Sequence, residues 1–167
     1  MIRVDVESII MATAPAPSVV ILRERAQDSE NIAPQRALSI PTGPYEAASI
    51  SRALDGSDED RPLTHALLAS VVSQLGSKVE RVEVSKVEPP IFYATVTLVS
   101  PQGGTVAVDA RPTDALALAV RVNAPIFVED DVMNRAGRVP ASQKESGESK
   151  ELEQFDRFVQ SLSPDDF

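Results

Sequence analysis

The chain is 167 residues long, room for one domain and a tail, and it carries a formal net charge of −9. That balance argues against a surface for tight, non-specific nucleic-acid binding, which needs a basic face to displace counterions from phosphates. The absence of cysteine excludes disulfides, thiolate metal sites and cysteine nucleophiles, and 43% apolar but only 4% aromatic residues predict an aliphatic core.

Ile2, Val4 and Val6 alternate with polar residues, which predicts a first strand running to about Met11. Asp5 and Glu7 break up this start, so no signal peptide is expected. Residues 14–17 read as a turn, 18–25 as a second strand, 27–34 as an exposed polar loop and 36–40 as a third strand. These strands predict an antiparallel meander. Pro44 and Gly56 suit the start and end of a helix on which Glu46, Ile50 and Leu54 share a face. A second helix is predicted from about Leu63 to Leu75, closed by Gly76. Its apolar stripe is Leu63, Leu67, Leu68, Val71, Val72 and Leu75, with His65 at the edge.

Residues 78–88 and 91–99 alternate cleanly and predict two strands joined at Pro89-Pro90. Gln102-Gly103-Gly104 turns into a strand ending at Asp109, in which Val106 and Val108 mark a half-buried face. Pro112 keeps Arg111 extended. Thr113 is placed to cap the next helix, with Asp114 in its first turn, where the helix dipole favours an anion. Residues 115–122 are apolar apart from Arg121, the pattern of a buried helix. A strand at 126–128 and a short helix near 131–136 follow. Residues 137–150 turn to Ser, Glu, Lys, Gln and Gly, a flexible linker. Leu152, Phe155, Phe158, Val159 and Leu162 then return at helical spacing, which predicts an amphipathic helix needing a partner surface.

Arg61-Pro62-Leu63-Thr64-His65 echoes Arg111-Pro112-Thr113-Asp114: Arg-Pro, a Thr, a polar residue, then an apolar helix. The candidate site is therefore Glu46, Arg61, His65, Asp109, Arg111 and Asp114. Carboxylates such as Asp109 and Asp114 suit Mg²⁺ or Mn²⁺, which take oxygen ligands, and a metal activates water and offsets charge on a phosphate. Arg61 and Arg111 offer bidentate forks to phosphate oxygens. His65, the one histidine, titrates near neutrality and suits general acid or base work. Each residue also has an architectural role open to it: arginine braces at the corners, a first-turn anion at Asp114, a core-edge histidine, and Glu46 accepting helix amides.

Leu38-Ser39-Ile40-Pro41-Thr42-Gly43 with Gly43-Pro44-Tyr45-Glu46-Ala47, Arg61 to Leu68, Phe92-Tyr93-Ala94, Asp109 to Ala119 with Arg121, and Pro125-Ile126-Phe127-Val128 occur in that order. Together they resemble the bifunctional nuclease family, over roughly residues 1 to 135. The resemblance implies metal-dependent cleavage of DNA and RNA phosphodiesters, with Glu46, His65, Asp109 and Asp114 as catalytic candidates and Arg61 and Arg111 on substrate. Three positions depart from the family pattern: Ala66 stands where Asp is usual, Thr113 where Ser is, and Ser39 with Pro41-Thr42 replaces an apolar stretch.

The expectation is an α+β domain over 1–136, a largely antiparallel sheet with packed helices, then a linker over 137–150 and a helical tail over 151–167. No stretch approaches the ~20 apolar residues a spanning helix needs, so the protein is expected to be cytoplasmic. A homodimer or higher homo-oligomer is expected, with a protein partner or the domain itself for the tail helix. The acid-rich composition and Ala66 leave a second function open: a non-catalytic regulatory or binding module of the same fold, recognising a small anion or a protein.

Overall fold

The structure is a computed structural model, and it describes residues 1–13, 16–26, 35–57 and 60–139. Among these residues seven strands form one sheet: β1 (Ile2–Ile10), β2 (Ser18–Glu24), β3 (Ala37–Thr42), β4 (Lys78–Glu88), β5 (Ile91–Val99), β6 (Thr105–Ala110) and β7 (Ile126–Val128). Their spatial order is β3-β2-β1-β7-β4-β5-β6. Both meanders are antiparallel, as alternation and short connections dictate. The three-residue β7 joins them at the centre, antiparallel to β1 and parallel to β4.

Among the described residues four helices accompany the sheet: α1 (Pro44–Asp55), α2 (Thr64–Gln74), α3 (Pro112–Val122) and α4 (Asp130–Ala136). Helix α3 is the pivot, in contact with α1, α2, β3, β4 and β5. Pro112, Thr113 and Ala115 through Ala119 are buried, as an almost all-apolar helix requires. The fully buried large side chains are aliphatic, with Leu22, Leu38, Ile40, Ile50 and Leu116 among them. The α+β class and the aliphatic core both agree with the sequence reading.

Three local expectations are corrected. Thr113 does not cap its helix: Arg111 holds the N-cap position with extended backbone and no side-chain cap bond. Pro112 at the first helical position fixes φ and needs no hydrogen bond there, which moves the start two residues earlier and carries Thr113 into the buried first turn. Strand β6 is an edge, so Val106 and Val108 are exposed rather than half-buried.

The third correction concerns α2, which has no buried residue. His65, Ala66, Ala69 and Val72 form its half-buried side, while Leu67, Leu68, Val71 and Leu75 are exposed. Small alanines lie toward α3, and the leucines ride outside. Leu75→Lys, at a position 71% exposed, is therefore expected to change the urea midpoint by less than about 0.5 kcal/mol equivalent. A loss above about 2 kcal/mol would mean the residue is covered in solution.

Arg138 pairs with Ala37 through two backbone hydrogen bonds, of 2.7 and 2.8 Å, so the chain stays on the domain two residues past α4. The polar loop at 27–34, residues 140–150 of the linker and the tail helix lie outside the described residues. Among the described residues no helix is long and apolar enough to cross a membrane.

Candidate active site

Three helix starts meet at one corner of the sheet. Gly43 and Pro44 begin α1 and place Glu46 in its first turn, with Ser49 one turn on. Thr64 begins α2 and places His65 second. Arg111 caps α3 and Asp114 lies in its first turn. Because α1 and α2 both pack on α3, these side chains face one another.

They form a continuous hydrogen-bonded chain. Ser49 Oγ lies 2.8 Å from His65 Nδ1, and His65 Nε2 lies 3.1 Å from Asp114 Oδ1. Arg111 donates Nε to Asp114 Oδ2 at 2.7 Å and Nη2 to Asp114 Oδ1 at 2.9 Å. The same Nη2 reaches Glu46 Oε1 at 3.0 Å. The Arg111 guanidinium holds the Asp114 carboxyl below the usual carboxylate range, with His65 adding to the effect and burial opposing it. Asp114, and then Glu46, in turn raise Arg111. Arg111 is 66% exposed on its side chain, His65 only 12%. The guanidinium is thus fixed along one edge while the rest faces a cavity of about 420 Å³ lined by Tyr45, Glu46, Ser49, His65, Arg111 and Asp114, among others.

Gly43 belongs to this arrangement. A Cβ there would run into the Glu46 carboxylate, which is itself tied to Arg111. Its φ of −71° suits any residue, so the requirement is close approach and not backbone freedom. Gly43→Ala is expected to push Glu46 off Arg111 and slow any cleavage several-fold, while stability changes by less than about 1 kcal/mol because the Arg111 side of the pair is largely solvent-exposed. Parallel rate and urea measurements read both.

Of the six candidate residues, Glu46, His65, Arg111 and Asp114 are in direct contact through these bonds. Asp109 stands one cavity over, on β6, in a groove it shares with Arg111, Asp114 and the apolar Leu68, Val72 and Val108. Arg61 lines a different neighbouring cavity with Arg52 and Arg121. The sequence reading missed Ser49, whose signal was its place three residues after Glu46, one turn along α1.

Asp109 and Asp114 were expected to hold Mg²⁺ or Mn²⁺. Among the described residues no group of three or more His, Cys, Asp or Glu side chains is placed to hold a metal ion. Both oxygens of Asp114 already accept from Arg111, and Oδ1 also meets His65. The described donors do not fit a preformed cation cage.

The fold and its corner define an α+β domain with an acid, a histidine and an arginine bonded in series beside an open cavity. The sequence profile of the bifunctional nuclease domain matches residues 20–140, which include every residue of that series. The chain is 35% identical over 154 residues to MT1877 of Mycobacterium tuberculosis strain CDC 1551 / Oshkosh and to Rv1829 of strain ATCC 25618 / H37Rv, both uncharacterized proteins. Each match covers 89% of this chain and 87% of the relative. The chain belongs to the bifunctional nuclease domain family.

Proposed function

We propose that the chain hydrolyses phosphodiester bonds of DNA or RNA at the Ser49–His65–Asp114–Arg111–Glu46 corner. The observation that carries this reading is the unbroken hydrogen-bonded series from Ser49 to Glu46 along the wall of an open cavity. Arg111, held by Asp114 and Glu46, presents its free edge to a phosphate oxygen. A phosphate there competes with Asp114 for the guanidinium and loosens Asp114 from His65 Nε2. In its cationic form His65 then delivers the Nε2 proton to the leaving oxygen as the P–O bond breaks, with Ser49 Oγ accepting from Nδ1–H and holding the ring. Water attacks phosphorus opposite the leaving oxygen and supplies the new P–O bond, its surplus proton passes to bulk solvent, and His65 Nε2 is reprotonated from solvent.

The family resemblance implies a divalent metal. The net charge of −9 makes substrate affinity low and cleavage weak. Purified protein incubated with single- and double-stranded DNA and RNA, in Mg²⁺, Mn²⁺ or EDTA, tests the reading. Cleavage of at least one substrate supports it, and the EDTA arm shows whether a metal is required. No cleavage under any condition overturns it.

A second reading has its own observation. Both ring nitrogens of His65 and both oxygens of Asp114 are already engaged, as in a satisfied structural network. On that reading the corner is a binding module for a small anion or a protein, and the same assay is blank. Self-association belongs with either reading, since β6 leaves an edge with Val106 and Val108 exposed. Light scattering at micromolar concentration is expected to give at least a dimer mass, and a monomer mass would refute this.

A further inference from the structure

A groove of about 400 Å³ opens off the reacting corner, between α2 and the β6 edge of the sheet. His65, Leu68 and Val72 are three and four residues apart, so they follow one another along one side of α2. Leu68 and Val72 line the groove from the helix, and Leu98 of β5 and Val108 of β6 line it from the sheet. Val96, Ala115 and Leu118, also in its lining, are buried. Arg111 and Asp114 line both this groove and the His65 cavity, so the two are continuous at the guanidinium. The described lining lies wholly within the unbroken stretch 60–139.

The groove is polar at one end only. Among its described lining, the charged residues are Asp109, Arg111 and Asp114, where β6 passes into α3, and the remainder is aliphatic. Helix α2 carries no Asp, Glu, Lys or Arg from Thr64 to Gln74, in a chain that is 25% charged. Leu68 is 43% exposed and Val108 41%, so two apolar walls stand open to water beside a fork suited to phosphate. Phosphate and sugar are the polar parts of a nucleic acid. The base alone has apolar faces, and these pack against aliphatic as well as aromatic side chains. The volume is at the small end of ligand cavities, enough for one nucleoside and too little for a duplex. A base therefore enters only out of its stack.

We propose that the α2–β6 groove receives an unpaired nucleobase beside the phosphate held by Arg111, which makes single-stranded DNA or RNA the substrate class. The phosphate rests on the phosphodiesterase reading above, and the base rests on the groove. Leu68 and Val108, on opposite elements, are then the residues that select a single strand. A strand pairing with the edge of β6 bonds in the plane of the sheet, while the Val108 side chain stands off its face. Self-association at that edge therefore leaves the groove open.

The test titrates the isotope-labelled full chain with adenosine 5′-monophosphate and with ribose 5-phosphate, read by NMR at the backbone amides. Neither probe has a diester to cut, so binding is read whether or not the chain cleaves nucleic acid. Both probes are expected to shift Arg111 and Asp114. Only the nucleotide is expected to shift Leu68, Val72 and Val108, and to bind about tenfold tighter or more, from the apolar area its base covers. Leu68→Asn and Val108→Asn remove apolar contact without adding charge. Each is expected to cut that preference about threefold or more and to leave ribose 5-phosphate binding as it was. Unchanged melting in both variants establishes folding. In the cleavage panel, single strands are expected to be cut about tenfold faster or more than a duplex of the same sequence, with the ratio narrowed in Leu68→Asn. A nucleotide preference without any cleavage upholds the base groove and removes the phosphodiesterase reading. Cleavage without the preference does the reverse. Equal affinity for the two probes, unmoved groove amides, or a preference that both variants keep overturns the proposal. So do groove amides that shift on dilution of the free chain and not with nucleotide, which assign the groove to a second copy.

Discussion

Asp114→Asn is expected to uncouple the corner. The substitution keeps the shape and removes the charge that both Arg111 and His65 face. The Arg111 pair is largely solvent-exposed and contributes about 0–1 kcal/mol, and the shielded histidine bond adds to it, so a loss of roughly 1–2 kcal/mol is expected at neutral pH. The pH dependence carries a sign. Asp114 is held below its ordinary value, chiefly by Arg111, so its contribution is fully present above the unfolded carboxyl value of about 3.9 and is lost as pH falls through the lower folded value. The stability gap between the unmodified chain and the variant should therefore be full from neutral pH down to that range and close below it. Any cleavage should fall by about 100-fold or more, the usual scale for a misplaced proton-transfer group. A gap independent of pH, or none at pH 7, would count against the network.

Leu116→Ala is expected to have the largest effect on the fold. Leu116 is fully buried on α3, the helix in contact with α1, α2, β3, β4 and β5. Truncating such a side chain costs about 2–5 kcal/mol, a large share of the 5–15 kcal/mol that typically separates folded from unfolded chains. Because α3 also carries Arg111 and Asp114, the site should loosen together with the fold. A urea midpoint shift worth less than about 1 kcal/mol would mean that α3 is not the pivot described above.

The contrast between α3 and α2 shows what the sequence disclosed. Along α3 the apolar residues run all round, and burial followed without ambiguity. Along α2 a leucine stripe is equally plain, yet hydrophobicity alone does not say which side approaches a neighbour. Ala66 and Ala69 let the backbone come near α3, and the larger residues were left outside. Strands β4 and β5 alternate over long runs and were legible to the residue. The central place of β7 was not, because three residues carry no pairing information beyond being apolar. The Arg-Pro echo pointed to two similar helix starts, and His65 and Asp114 from them do meet. Arg61 lines a neighbouring cavity instead, two residues before the Leu63 N-cap of α2. The bond from Arg111 to Glu46 spans 65 positions, a separation that no local periodicity encodes.

The most direct test of the central claim compares cleavage rates of the unmodified chain and His65→Ala on the best substrate from the DNA and RNA panel, with melting curves as the folding control. If the corner is where phosphodiesters are cut, the variant melts as the unmodified chain does within a few degrees and cuts about 100-fold more slowly or worse. A folded His65→Ala protein that cuts at an undiminished rate would contradict the assignment.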